Sequence, residues 1–477
     1  MVSLWRADTE PVVFGPLEED ISVDAAIIGG GMAGVLTAWF LSQKGLNTVI
    51  IEADHIGAGV TGDTTAKVTA QHGLIYDKLI RQHGKEAALQ YARWNSRAVG
   101  MYRDIIHAEN IQCGWRECPS YVYSQADSAQ LRAETAAACS LGLKAAFTED
   151  TELPFPIAGA VRFDSQARFH PLEFLYHIGR GLRVYDQTRV MDVVDNTVIT
   201  ANGRVKAEHV VFTSHYPIVD VPGYYFMRMY QQRSYVLALE GARAIEGMYV
   251  DADTNGLSFR SAADGLLLFG GFDIRTGKNP DGGKYELLRK RAAKLYPGCR
   301  EKYAWSAQDC RTLDGIPYIG RYSGARPNWY VATGFDKWGM TSSMAAADII
   351  SSMIFGVEDT SADVFSPQRF KLTASAKRFG EEVGVISSAL IRQTFTMPGD
   401  RARDIRPGSG GVVEYEGQKV GVYKDNDGEI YAVQTKCPHL GCQLQWNGDD
   451  KTWECPCHGS RFDYQGNILN SPARKGL

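Results

Sequence analysis

Three features are missing from the 477-residue sequence, and each absence argues against one class of protein. No apolar run approaches the roughly 18 residues of a membrane span, so we expect no membrane-spanning segment. The formal net charge is −4, and because no basic excess can neutralise phosphates, we expect no nucleic-acid partner. The N-terminal segment has no basic head followed by an apolar stretch, as a secretory signal would have. These absences predict a cytoplasmic protein.

Cysteine is scarce through most of the chain. Five of the nine cysteines are scattered over the first 310 residues, which excludes the disulfide framework of a small secreted protein. The other four fall near the C-terminus with histidines interleaved, and this clustering indicates a metal site. These four are Cys437, Cys442, Cys455 and Cys457.

The length predicts two to four domains of about 150 residues each. Residues 24–51 have the pattern of a strand, a glycine turn, a helix and a second strand, which is a βαβ unit. Short alternating runs between about 155 and 310 indicate a mixed sheet that forms a subdomain. Short strands separated by turn residues predict an all-β domain at the C-terminus. We therefore expect an α/β domain at 1–375, a polar linker at 376–400 and an all-β domain at 401–477.

The glycine turn fits the dinucleotide-binding fingerprint G-x-G-x-x-G through Gly29, Gly31 and Gly34. The turn follows a strand and opens a helix, whose N-terminal N–H groups attract a pyrophosphate. Glu52 ends the second strand, where an acid accepts hydrogen bonds from the adenosine ribose. A plain glycine turn is the alternative, but the strand, helix and acid together favour a nucleotide cofactor.

The C-terminal cluster has one cysteine and one histidine on each of two loops: Cys437 with His439, and Cys455 with His458. Two cysteines and two histidines can bind zinc or a [2Fe–2S] cluster. The spacing favours the cluster, because two cysteines can hold one iron and two histidines the other. A zinc knuckle is the alternative.

The boxes CPHLGC and CPCHGS resemble those of the Rieske family, and NSPARKGL resembles the proline loop that covers the cluster in that family. The resemblance implies an all-β Rieske domain with a [2Fe–2S] cluster. In this resemblance, Cys442 and Cys457 sit where a disulfide could tie the two loops. Ser460 would offer its hydroxyl to a cluster sulfur.

Three segments resemble the D-amino-acid oxidase and glycine oxidase superfamily: residues 57–69, 314–320 and 333–341. The resemblance implies FAD, bound by a Rossmann-like domain that is interleaved with a mixed-sheet substrate domain. Relatives with covalent flavin often place a histidine where this chain has Asp63, so we expect non-covalent FAD. Besides the glycine loop and Glu52, the implied FAD-binding residues are Gly59, Thr61, Thr65, Val190, Gly334, Gly339, Met340 and Thr341.

The superfamily oxidises C–N bonds, and one position bears on the substrate. Glycine-oxidase-like members hold the substrate carboxylate with an arginine five residues before the Asp-Gly pair, where this sequence has Asp309. A carboxylate there attracts an ammonium, which favours an amine over a simple amino acid. Asp309 could equally be a structural residue, and Arg311 could instead supply a positive charge. Further candidates, each of which could equally be structural, are Tyr230, Lys337, His215, Arg233 and Tyr235.

Together, these motifs predict an enzyme with two cofactors. The resemblance implies that flavin oxidises the C–N bond of an amine or amino-acid-like molecule, and that electrons pass through the Rieske cluster to an external acceptor. An electron-transfer module serving a partner redox enzyme is the alternative. The single dinucleotide fingerprint argues against it, because a reductase fed by a nicotinamide cofactor should show two.

Phe462 bears on the reduction potential of the cluster. High-potential respiratory Rieske proteins have a tyrosine at this position, two residues after the serine, and fewer hydrogen bonds to the cluster sulfurs lower the potential. We therefore predict a potential below that of respiratory Rieske proteins. A redox titration measures it, and an equal or higher value would contradict the prediction.

Overall fold

The computed structural model describes residues 1–253, 256–357, 359–369, 372–395 and 404–477. None of the helices described there is long and apolar enough to cross a membrane. In chain order these helices are α1 (Leu4–Asp8), α2 (Met32–Gln43), α3 (Tyr76–His83), α4 (Lys85–Ala108), α5 (Ser128–Ser140), α6 (Pro171–Gly179), α7 (Lys284–Leu295), α8 (Gly339–Ile354) and α9 (Leu372–Phe395).

The strands form four sheets. In chain order they are β1 (Ile21–Ile28), β2 (Thr48–Ile51), β3 (Lys67–Val68), β4 (Arg116–Ser124), β5 (Ala145–Thr148), β6 (Gly159–Arg168), β7 (Val184–Tyr185), β8 (Asp192–Val194), β9 (Thr197–Ile199), β10 (Arg204–Phe212), β11 (Met229–Glu240), β12 (Met248–Asp251), β13 (Leu257–Ser261), β14 (Leu267–Arg275), β15 (Arg300–Thr312), β16 (Tyr318–Ser323), β17 (Arg326–Thr333), β18 (Ser409–Tyr415), β19 (Gln418–Lys424), β20 (Ile430–Gln434), β21 (Gln445–Asn447), β22 (Thr452–Glu454), β23 (Arg461–Asp463) and β24 (Ile468–Asn470).

The first sheet has the order β16-β17-β10-β1-β2-β7, with β9 and β8 added beside β10. Strands β17, β10, β1, β2 and β7 run parallel. The central strand β1 ends in the fully apolar run Ala25–Ile28, which is buried on both faces as parallel strands usually are. Helices α2 and α8 pack against each other in the largest apolar core. The βαβ unit predicted from the sequence is therefore present at the centre of an α/β domain.

The second sheet has nine strands, in the order β15-β11-β14-β13-β12-β4-β6-β3, with β5 beside β6. Its strands come from two separate parts of the chain, because β3 to β6 precede the parallel strands β7 and β10. The range of 155–310 predicted for the mixed sheet therefore contains strands of both sheets. Local alternation identified the strands but could not assign them to a sheet.

The C-terminal part consists of a three-stranded sheet, β18-β19-β20, and a four-stranded sheet, β21-β22-β23-β24. The polar composition of 376–400 predicted a linker, yet helix α9 occupies most of it, and residues 396–400 lie outside the described part. Ala389 on α9 is buried with the apolar core of this domain, and Ile386 packs beside it. This spacing of three residues places both on one helix face. The domain boundaries themselves stay predictions.

The C-terminal domain docks on the nine-stranded sheet through buried charges. Arg233 on β11 is 2% exposed and lies 2.7 Å from Asp450 and 3.6 Å from Glu454 of the C-terminal domain. Burial opposes ionisation of Asp450, but the charges of Arg233 and Arg461 lower its pKa below the usual range. Arg233, a candidate pocket residue in the sequence, therefore joins the two domains instead.

Replacing Arg233 with Met removes the cation nearest to the buried Asp450 and one of the two cations beside the buried Glu454. Removing one partner of a buried ion pair costs about 3–5 kcal/mol, so we expect Arg233→Met to lower the denaturant midpoint at which the C-terminal domain unfolds. Arg116→Met is the control, because Arg116 pairs with Glu246 at the surface, where such pairs contribute up to about 1 kcal/mol. Equal midpoints for the two variants would contradict this account.

Candidate active site and metal centre

A cavity of about 620 Å³ lies where the two large sheets meet. One side is formed at the carboxyl ends of the parallel strands β1, β2, β10 and β17, where Ile28, Ile51, Thr213 and Thr333 line it. The other side is formed by β11, β13, β14 and β15. Open parallel sheets bind nucleotides at this edge, and the volume is in the range of cofactor sites.

The glycine loop opens into this cavity. Gly31 caps helix α2 without a side-chain hydrogen bond, so the positive end of the helix faces the cavity. Gly34 serves packing, because a Cβ there would lie 1.9 Å from the carbonyl oxygen of Gly29. The Glu52 carboxylate accepts hydrogen bonds from the backbone N–H groups of Gly30 at 2.6 Å and Asp54 at 2.9 Å. This arrangement fits the pyrophosphate and ribose of a dinucleotide.

Most of the predicted FAD-binding residues line the cavity together. They are Gly29, Gly31, Glu52, Gly59, Thr61, Thr65, Val190, Gly334, Gly339 and Met340. His215 also lines it, and burial lowers the pKa of His215 to about 4, which leaves the ring neutral at pH 7.

Besides Arg233 and Arg311, three predicted residues do not line the cavity. Gly34 lies behind the glycine loop. The hydroxyl of Thr341 donates a hydrogen bond to the carbonyl of Thr69 at 3.0 Å and lies 2.9 Å from Nε2 of His72, in the buried interior. Tyr230 lies between two guanidinium groups, with Arg275 5.2 Å and Arg311 6.0 Å from its ring centre. Sequence position alone could not distinguish these packing roles from contact with a ligand.

Asp309, a candidate substrate-binding residue in the sequence, faces the cavity from β15. It is 9% exposed, and in the part of the chain that the structure describes no group donates a hydrogen bond to its carboxylate. Burial raises the pKa of Asp309 to about 6, although the nearby Lys337 opposes the rise. A buried carboxylate without a partner is costly, and a bound cation would relieve that cost.

The nearby cations already have partners. Lys337 lines the cavity and forms an ion pair with Asp273. Arg311 pairs with Asp336 and donates a hydrogen bond to Gln232 at 2.5 Å. Arg311 therefore does not supply a free positive charge for a substrate carboxylate, and Asp309 has no ion-pair partner among the described residues.

The predicted cluster ligands lie on two adjacent loops of the C-terminal domain. Cys437 and His439 follow β20, whereas Cys455 and His458 connect β22 to β23. The N–H of Cys437 donates to the carbonyl of Cys442 at 2.9 Å, and the N–H of Cys455 donates to the carbonyl of Ser460 at 2.9 Å. These hydrogen bonds close each loop on itself, and the side chains of Cys437 and Cys455 hydrogen-bond to each other across the two loops.

Unpaired ligand atoms show that this site fits a metal cluster. Nδ1 of His439 and both ring nitrogens of His458 are buried without hydrogen-bond partners. The thiols of Cys437 and Cys455 are buried and hydrogen-bonded to each other, which lowers the pKa of Cys437 to about 6. Thiolates and neutral imidazoles with free nitrogens are the donors that a [2Fe–2S] centre of this type requires.

The two remaining cysteines form the predicted disulfide. Cys442 and Cys457 are bonded to each other and buried. The sulfurs of both lie within 4.8 Å of the Cys455 sulfur, but as a disulfide they are not available as ligands. Ser460 accepts a hydrogen bond from the N–H of Ala473 at 3.0 Å, and its own hydroxyl interacts with Cys437. Ser460 is thus positioned beside the cluster ligands.

The cluster loops contact the same sheet that lines the cavity. Gln231 on β11 donates to the carbonyl of His458 at 2.6 Å, and its neighbour Gln232 lines the cavity. Gln308 on β15 donates to the carbonyl of Gly459 at 2.8 Å, and its neighbour Asp309 lines the cavity. Because successive side chains point to opposite faces of a sheet, one sheet layer separates the cluster loops from the cavity.

A polar contact from outside the C-terminal domain reaches the side chain of a cluster ligand directly. Nε2 of His439 lies 2.9 and 3.1 Å from the two carboxylate oxygens of Asp220, which precedes β11. The ring of Phe226 packs edge-on against both His439 and His458, at 6.4 and 5.8 Å between ring centres. Sequence reasoning missed Asp220, because no local pattern marks a residue that meets its partner across the chain.

Family comparisons agree with both sites. The profile of the FAD dependent oxidoreductase family matches residues 24–353, and that of the Rieske [2Fe-2S] domain matches residues 396–477. The chain belongs to the FAD-dependent oxidoreductases and carries a Rieske domain. Its cofactors are FAD and a Rieske [2Fe–2S] cluster, as predicted from the motifs.

Known relatives match either the whole chain or about three quarters of it. The chain is 36% identical to the Rieske 2Fe-2S iron-sulfur protein YhfW of Bacillus subtilis strain 168, over 99% of this chain and 96% of that protein. It is 26% identical to gamma-glutamylputrescine oxidoreductase of Escherichia coli strain K12, over 72% and 86%. Glycine oxidase from Geobacillus kaustophilus superposes with a TM-score of 0.63 at 17% identity, covering 73% of this chain and 99% of that one. This last likeness shows the oxidase fold.

Proposed function

We propose that this oxidoreductase oxidises the C–N bond of an amine and delivers the electrons through its Rieske cluster to an external acceptor. When bound, FAD would accept a hydride from the substrate carbon, and the cluster would transfer electrons one at a time. The observation that carries the proposal is the single sheet layer between the cavity and the cluster loops, formed by β11 and β15.

Asp309 supports an amine as the substrate class. Its unpaired carboxylate attracts the ammonium group, and its oxygen can take up the proton that the ammonium loses before oxidation. Lys337 and Arg311 are paired with Asp273 and Asp336, so they do not form a carboxylate site for an α-amino acid. The relative from Escherichia coli is named for gamma-glutamylputrescine, which is also an amine.

The arrangement of β11 and β15 supports internal electron transfer. Gln231 and Gln308 hydrogen-bond to each other at 2.5 Å and hold the carbonyl groups of His458 and Gly459 against the sheet. Hydrogen-bonded contacts of this kind favour a fixed distance between the two sites. Delivery to an external acceptor, non-covalent binding of FAD and a cytoplasmic location remain predictions.

An anaerobic titration with primary amines, secondary amines and α-amino acids tests the proposal. We expect one amine class to bleach the flavin absorbance, followed by loss of the longer-wavelength absorbance of the cluster. α-Amino acids should act poorly, because Asp309 repels their carboxylate. If only dithionite bleached both chromophores, the amine-oxidation proposal would fail, and an electron-transfer module would be the better account.

Asp309→Asn tests the role of the carboxylate. We expect kcat/KM for the reactive amine to fall roughly 10- to 150-fold, which corresponds to a lost charged hydrogen bond of about 1.5–3 kcal/mol. In the wild type, kcat/KM should also fall as the pH drops through about 6, because protonation neutralises Asp309. This acid limb should disappear in Asp309→Asn. The control is Asp164→Asn, an exposed change on the same sheet outside the cavity.

Two results would contradict the assignment of Asp309. One is a variant that keeps the wild-type kcat/KM. The other is a variant that loses activity but retains the acid limb, because the titrating group would then be elsewhere.

A further inference from the structure

The two histidine ligands of the cluster site face the flavin domain of the same chain. The side chain of His439 is 6% exposed and that of His458 is 1% exposed. Phe226, from the segment before β11, covers both rings, and the C-terminal domain is fixed on this face by the pairing of Arg233 with Asp450. Residues of the flavin domain therefore form part of the surroundings of both histidines.

The two histidines have different partners on this face. His439 meets the Asp220 carboxylate through Nε2, whereas neither ring nitrogen of His458 has a hydrogen-bond partner among the described residues. The backbone holds Asp220 in place, because its carbonyl accepts a hydrogen bond from the N–H of Tyr224 at 2.7 Å. Only His439 therefore hydrogen-bonds to the carboxylate, whereas the Asp220 charge reaches His458 only through space.

We infer that Asp220 positions His439 as a cluster ligand and lowers the reduction potential of the cluster. A carboxylate accepts a hydrogen bond from the N–H at Nε2, so the proton stays on Nε2 and leaves Nδ1, which is buried without a partner, free to bind iron. Such carboxylate–histidine pairs fix the ring orientation and raise the basicity of a metal ligand. Added negative charge stabilises the oxidised cluster over the reduced one, because reduction adds an electron beside Asp220.

The contact between Asp220 and His439 makes the environment of the cluster depend on docking of the two domains. Asp220 belongs to the flavin domain, and His439 belongs to the Rieske domain, so the hydrogen bond exists only when the two domains are in contact. Asp220 is 31% exposed and His439 is 6% exposed, so the interaction is partly shielded from solvent. A residue at the interface between the two domains thus influences the reduction potential of the cluster.

Asp220→Asn tests this inference in the full-length protein with both cofactors bound. The substitution keeps the size of the side chain and removes its charge. We expect a higher midpoint potential in a mediated redox titration and shifted g-values in the EPR spectrum of the reduced cluster. Asp220→Glu, which restores a carboxylate, should return the potential toward the wild-type value.

Asp192→Asn is the matched control. Asp192 also joins the two domains, through Arg474 at 3.1 Å, but it does not touch a cluster ligand. We expect this variant to keep the wild-type potential and EPR spectrum. Equal shifts in both variants would show a general effect of interface charge and overturn a specific role for Asp220.

The remaining outcomes also decide the question. Full cluster content with an unchanged potential in Asp220→Asn would overturn the inference. Asp220→Asn could also retain FAD but lose the cluster, while Asp192→Asn keeps both. In that case, recovery of the cluster in Asp220→Glu supports the positioning role. Failure of Asp220→Glu to recover the cluster overturns that role. None of these measurements needs a substrate, so their results are independent of the amine-oxidation proposal.

Discussion

The buried pairing of Arg233 with Asp450 and Glu454 holds the Rieske domain against the sheet that lines the flavin cavity. Charges are buried at a high desolvation cost, so this interface is stable only in a geometry that pairs them. That geometry places the cluster loops on β11 and β15, whose opposite faces line the cavity. The relative position of the two cofactor sites therefore depends on the pairing of these charges.

The charged side chains in and beside the cavity differ in whether they have ion-pair partners. Lys337 and Arg311 are neutralised by neighbouring carboxylates, and Asp309 is left without a cation. A site of this kind discriminates by the charge of the substrate, since an ammonium gains a partner there and a carboxylate meets repulsion. Across the sheet, Asp220 places a negative charge beside a cluster ligand. The same sheet region thus carries the residues on which the proposed substrate binding and the proposed electron transfer depend.

The sequence predicted those parts of the sites that lie within short segments. The glycine loop, Glu52 and the two cluster loops were recognisable because their chemistry requires fixed residue types at fixed spacing. Asp220, Gln231 and Gln308 were not, because each acts through a contact with residues more than 140 positions away. The alternation of β11 indicated two faces but not which partner covers each. Helix α9 was missed because its polar composition obscured the few apolar residues that pack.

The proposed function requires that electrons pass between flavin and cluster within one chain. Flash photoreduction of the flavin in the anaerobic protein, followed at the long-wavelength absorbance of the cluster, tests it without a substrate. The account predicts cluster reduction at a first-order rate that does not change with protein concentration. A rate proportional to protein concentration, or a cluster that stays oxidised while the flavin is reduced, would contradict it.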